Sequence, residues 1–137
     1  SDSLNSGSSD KVLAINPDDF NSLTPASVNV RTGVYAIVTD DDRDRVYAVS
    51  RRLNQGNGDL NVLNYTTLTP VAGSPLDAGL DPIFVAYDRA ASRIVVLNSG
   101  GTLTVFNADT LTQIPGSPFT IPNAVPGQEF HSIVVVP

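Results

Sequence analysis

The chain contains no cysteine, no tryptophan, one lysine (Lys11), one histidine (His131) and one glutamate (Glu129). Without thiols there is no disulfide, no thiolate metal site and no cysteine nucleophile. Without tryptophan, a carbohydrate-stacking platform would have to rest on Tyr35, Tyr47, Tyr65 or Tyr87. Cations are scarce against a net charge of −6, and the pair Arg51-Arg52 is too small a cluster to hold the phosphates of a nucleic-acid duplex. No apolar run approaches the roughly 20 residues that cross a bilayer, so no membrane span is expected. Residues 1–10 have neither the basic start nor the apolar middle of a secretory signal. No Gly-x-Ser-x-Gly elbow, phosphate loop or dinucleotide fingerprint occurs, and no cofactor is implied.

What the chain does contain is a repeat. Val34-Tyr35-Ala36-Ile37-Val38-Thr39-Asp40, followed by Arg45-Val46-Tyr47-Ala48-Val49-Ser50, returns as Ile83-Phe84-Val85-Ala86-Tyr87-Asp88, followed by Arg93-Ile94-Val95-Val96-Leu97-Asn98. The offset from Asp40 to Asp88 and from Arg45 to Arg93 is 48. Leu60-Asn61-Val62-Leu63-Asn64, Leu68-Thr69 and Gly73-Ser74-Pro75-Leu76 return as Leu103-Thr104-Val105-Phe106-Asn107, Leu111-Thr112 and Gly116-Ser117-Pro118-Phe119, at an offset of 43. The difference sits in one hairpin, longer at residues 51–59 than at Ser99-Gly100-Gly101-Thr102. Lengthening a hairpin tip costs only tenths of a kcal/mol. The ends follow the same pattern: Leu4-Asn5-Ser6-Gly7 repeats Leu97-Asn98-Ser99-Gly100, and Val12-Leu13-Ala14-Ile15-Asn16 matches the strand ending at Asn107. Residues 130–136 fall where a new first strand is due.

Each unit reads as four short strands of β-branched and aromatic residues, separated by Asp, Asn, Gly, Ser and Pro. Nothing in it predicts a helix. Gly56-Asn57-Gly58 and Ser99-Gly100-Gly101 supply the positive φ of tight hairpins, and Pro70, Pro75, Pro115 and Pro118 are expected to bracket an outer strand. Strands such as Tyr47 to Val49 and Leu103 to Phe106 are apolar on both faces, which requires cover on both sides.

This pattern resembles the YVTN-type and lactonase-like β-propeller repeats over nearly the whole chain, most clearly from Asp81-Pro82 to Gly116-Ser117-Pro118-Phe119. The resemblance implies an all-β fold of propeller blades with four antiparallel strands each, in about three repeats of permuted order. The expected divisions are a partial blade at 1–32, blades at 33–80 and 81–124, and the first strand of a further blade at 125–137. Such repeats occur in extracellular surface proteins, virion or appendage components and lactone-processing enzymes. The expectation is a non-enzymatic structural or binding module at a cell surface, virion or extracellular assembly; the alternative is part of a lactonase-like enzyme. No residue here matches a catalytic motif of those relatives, so no catalytic residue is assigned.

About three blades cannot close a ring, and the end blades would expose apolar faces. A second copy would complete six blades by two-fold symmetry. Further sequence of a longer propeller would serve equally, and an independent β-sandwich or barrel is the remaining option. Residues 1–3 are polar where Ile94-Val95-Val96 are apolar, which weakens the second strand of a composite blade.

Three places carry candidate chemistry. Asp40, Asp42 and Asp44 alternate as in a calcium loop, but Arg45 stands where Gly is needed and Arg51 where a bidentate Glu belongs. The equivalent turn, Asp88-Arg89-Ala90-Ala91-Ser92, has one carboxylate, so the shared feature is a solvated turn capped by Asp, and no metal is assigned. Glu129 and His131 are the acid and imidazole of a conceivable general acid–base pair, with a rim or packing role as the simpler reading. The insertion carries Arg51, Arg52, Asn54, Gln55 and Asn57, which suit a polar or acidic partner surface. Asn64-Tyr65-Thr66 is formally a glycosylation sequon, but Asn107 fills the same slot without one, which favours a turn role for both.

Overall fold

The computed structural model describes residues 10–14, 18, 26–30, 34–51, 56–122, 130 and 132–136. Among these every regular element is a strand: β1 (Asp10–Ala14), β2 (Ala26–Val30), β3 (Val34–Asp40), β4 (Arg45–Ser50), β5 (Asn57–Asn64), β6 (Leu76–Leu80), β7 (Pro82–Asp88), β8 (Arg93–Asn98), β9 (Thr102–Asn107) and β10 (Phe119–Thr120). They form two four-stranded antiparallel sheets, β3-β4-β5-β6 and β7-β8-β9-β10, and a two-stranded sheet, β1-β2. Each four-stranded sheet is a meander in chain order, as short apolar runs joined by tight turns dictate.

The registers repeat as the sequence does. Arg45 pairs with Asn64 in the first sheet and Arg93 with Asn107 in the second. Leu60 pairs with Leu76, Leu103 with Phe119, and Val12 of β1 with Val28 of β2. The connections repeat too. Asn64 Oδ1 accepts from the amides of Thr66 and Thr67, and Asn107 Oδ1 from those of Asp109 and Thr110. Ser74 Oγ accepts from Val62 N and Ser117 Oγ from Val105 N, at 2.8 and 2.9 Å. Leu68 and Leu111, one repeat apart, take the same left-handed φ of 56° and 58°. A β-branched residue would be strained there. Pro70 pairs with Leu63 as a bridge and Pro75 immediately precedes β6, so Pro70 and Pro75 lie ahead of the outer strand and do not bracket it.

Two glycines have different reasons. Gly56 has a φ of +95° in the hairpin, as the sequence suggests. Gly58 is needed for space: a Cβ there would collide with the Ser50 carbonyl oxygen and the Pro82 ring, which packs over it from β7.

The core lies between sheets. Tyr47, Val49, Leu60, Val62 and Ala78 of the first sheet pack with Val85, Ile94, Val96, Phe106 and Ala108 of the second. The pairing Tyr47↔Val62 and Val49↔Leu60 puts the first set on one face of its sheet, and Val46, Ala48 and Leu63 on the other. One repeat on, the equivalents of Tyr47 and Val49 are Val95 and Leu97, which face away from the first sheet, while Ile94, Val96 and Phe106 match Val46, Ala48 and Leu63. Like faces therefore never meet. The sheets stack head to tail, as successive subunits do in a heterologous contact. The third unit obeys the same rule: Val12 packs on Val46, Ala48, Leu63 and Leu68, so β4 and β5 of the first sheet are buried on both faces, while β3 keeps Tyr35, Ile37 and Thr39 exposed.

Residues 132–136 belong to no strand, and Ile133, Val134, Val135 and Val136 have no ladder partner among the described residues. Of the first strand expected within 125–137, residues 125–129, 131 and 137 lie outside the described residues, and the described residues 132–136 pair with no strand.

Candidate functional site

Polar side chains gather at the two rims of the stacked sheets. At the first rim, the β3–β4 turn starts from Asp40, the last residue of β3, which is fully buried. Its Oδ1 accepts from the amides of Asp42 and Arg43 at 3.0 and 3.2 Å, closing the turn. Its Oδ2 accepts from Tyr47 Oη at 2.6 Å and from Arg43 Nη1 at 3.1 Å. Burial works to raise its carboxyl pKa, but the bonds from Tyr47 and Arg43 together hold it below the ordinary range. Burial and then the Asp40 bond push the Tyr47 phenol up.

The same Arg43 crosses to the second sheet. Its Nε and Nη2 donate to Asp109 Oδ1 at 2.8 and 2.6 Å, and its Nη1 to Tyr87 Oη at 2.8 Å. The Asp109 bond is the main cause of its raised pKa. Arg45 Nη1 donates to the Ala108 carbonyl at 2.8 Å, and Arg89 forms a fork on Asp42 at 3.0 and 2.7 Å. The Tyr47 and Tyr87 rings lie 6.0 Å apart beneath this network. Asp44 adopts a left-handed φ of 53° and its carbonyl accepts from Tyr65 N at 3.0 Å.

At the opposite rim Arg51 donates from Nε and Nη2 to the two oxygens of Asp81, the second at 2.6 Å, and from Nη1 to Tyr35 Oη at 3.2 Å. Its guanidinium carbon stands 5.2 Å from the Tyr35 ring centroid. Asp81 Oδ2 also accepts from Ser99 Oγ at 2.8 Å, tying the link between the sheets to the second hairpin. The Arg51 bond, then that from Ser99, hold the Asp81 carboxyl low against burial. Asn57, exposed at the start of β5, donates to Asp77 Oδ2 at 2.9 Å.

Of the residues singled out in the sequence, Asp40, Asp42 and Asp44 share one turn, but Asp40 and Asp42 turn their oxygens to Arg43, Tyr47 and Arg89. Among the described residues no three His, Asp or Glu side chains form a group that could hold a metal ion. The turn is not simply solvated, because its first carboxylate is buried. Arg51 and Asn57 are both engaged within the chain, while Arg52, Asn54, Gln55, Glu129 and His131 lie outside the described residues. Asn64 keeps the turn role that its equivalence to Asn107 suggests.

Tyr35, Tyr87, Asp81, Ser99 and Asp109 join these networks although no motif in the sequence marks them as bonding partners of Arg43 or Arg51. A signal for some of them existed. Tyr47, Tyr87, Arg43 and Asp109 are positions where the repeat breaks, opposite Val95, Thr39, Ala91 and Thr66. Residues that join one unit to its neighbour need not be shared by the units. Chemically, Asp40 is charged and enclosed, Tyr47 is held protonated, and Arg43, Arg51 and Arg89 are forked on carboxylates. These groups lock two sheets together and present no poised base or nucleophile.

The sequence matches no protein-family model and no curated protein. Among the described residues no helix is long and apolar enough to cross a membrane.

Proposed function

We propose that the chain is a β-propeller segment of the YVTN and lactonase-like kind, acting as a structural or binding module of a cell-surface, virion or extracellular assembly through protein–protein contacts. The observation that carries the reading is the head-to-tail stacking. In a sandwich two sheets bury inner faces against each other and leave outer faces to water. Here the central strands β4 and β5 of the first sheet are buried on both faces, and each sheet offers its neighbour the face that its neighbour offers onward. A repeated rotation of this type leads to a ring around an axis.

The polar groups support a non-catalytic role, because Arg43 with Asp109, Arg89 with Asp42 and Arg51 with Asp81 are committed to tying the two sheets and the link between them. A lactonase assay on the folded chain tests this. No hydrolysis is expected, and lactone turnover that disappears in His131→Ala would establish the enzyme instead.

A further inference from the structure

Among the described residues, the face of the first sheet that looks away from the second is covered only in part. Its outer half, Val46, Ala48, Leu63 and Leu68, is closed by Val12 of β1. On the same face, the inner strand β3 leaves Ile37 48% exposed, with Tyr35 at the rim 50% exposed. The equivalent of Ile37 in the second sheet is Val85, which is 1% exposed. What covers Val85 is the inner half of a like sheet, with Ala36 and Val38 of β3 and Tyr47 and Val49 of β4 in the same cluster. The open patch is therefore continuous with an existing interface, and the repeat specifies its cover: an apolar inner strand.

The chain carries a short apolar run, residues 133–136, that pairs with no strand among the described residues. Along residues 133–136 exposure alternates: Val134 and Val136 are 83% and 76% exposed, Val135 is 39% exposed, and Ile133 is partly buried. A period of two is that of an extended segment with one side against protein and the other open.

We infer that residues 133–136 of one copy close the inner half of the first sheet of a second copy, with Val134 and Val136 packing against Ile37. The inference rests on the propeller reading and names the partner of its open face. Two such contacts, each supplying what the other copy lacks, close a two-fold pair. Each contact removes large apolar side chains from water, at roughly 25 cal/mol per Å2 of apolar surface.

The absence of native cysteine makes the test direct. The 137-residue chain is expected to have twice its chain mass by native mass spectrometry. In Ile37→Cys with Val134→Cys, oxidation should give an intermolecular disulfide, which either substitution alone should not, because bonding requires Cα atoms within about 7 Å. Ile37→Asp, at an exposed position, should weaken dimerisation at least tenfold while the far-ultraviolet dichroism stays that of the parent chain. A monomeric parent chain, an intramolecular disulfide, or a dimer indifferent to Ile37→Asp would each overturn the inference. A monomer whose sheets still stack head to tail would remove the inference and leave the propeller reading standing; a different arrangement of sheets would remove the reading itself.

Discussion

Tyr47 and Asp40, both fully buried, meet at 2.6 Å between Oη and Oδ2 and set the first rim of the stacked sheets. A charged acceptor in that position is tolerated because it also takes Arg43 and two backbone amides. Removing the phenol hydroxyl leaves the carboxylate under-satisfied. Tyr47→Phe should cost about 1.5–3 kcal/mol, the range for a hydrogen bond to a charged group. Urea unfolding monitored by dichroism measures it, and an unchanged midpoint would show that the bond is dispensable.

The acid response follows from the same group. Asp40 and Asp81 are both held below the ordinary carboxylate range. The folded chain thus binds these protons less readily than the unfolded one, whose Asp titrates near about 3.9. Their contribution is present in full well above that pH and is lost as the pH falls through the lower folded values. Asp40→Asn should flatten the decline of melting temperature below about pH 4; a decline as steep as in the parent chain would contradict the assignment.

The two forks across the first rim are unequal. Arg43 is largely enclosed and serves Asp40, Asp109 and Tyr87, whereas Arg89 is 74% exposed on a single carboxylate. Arg43→Ala leaves buried Asp40 without its cation and should lower stability by about 2–4 kcal/mol. Arg89→Ala should leave the urea midpoint where it is, since exposed pairs contribute little. Equal effects would show that burial does not govern these links.

Gly58 has its own test. In Gly58→Ala the new methyl meets the Ser50 carbonyl and the Pro82 ring, so the first hairpin and β7 must both give way, at a cost of about 1–3 kcal/mol. Thermal unfolding reads this. A neutral substitution would mean that Gly58 is not crowded by Ser50 and Pro82.

How much of this was legible in the sequence depends on the range of the interaction. The strands and their repetition were legible: Arg45 with Arg93 and Asn64 with Asn107, which the repeat aligns, take equivalent places in the two sheets, as the pairs Arg45↔Asn64 and Arg93↔Asn107. Local turn chemistry at Asn64 was legible for the same reason, since an Asx side chain bonds amides two and three residues on. The burial of Asp40, the engagement of Arg51 by Asp81 and the crowding of Gly58 by Pro82 were not. Each depends on how one sheet lies on the next, which strand periodicity does not encode. The prolines ahead of β6 show a smaller failure, because a missing amide marks an outer position but not which side of the strand it occupies.

A crystal structure of the native particle is the decisive measurement of how the sheets are arranged. The expected arrangement is four-stranded meanders set radially about a channel, with Tyr47 and Val49 of one sheet on Ile94 and Val96 of the next. Sheets joined edge to edge in a single barrel wall, or Tyr47 and Val49 packed against Val95 and Leu97, would contradict it.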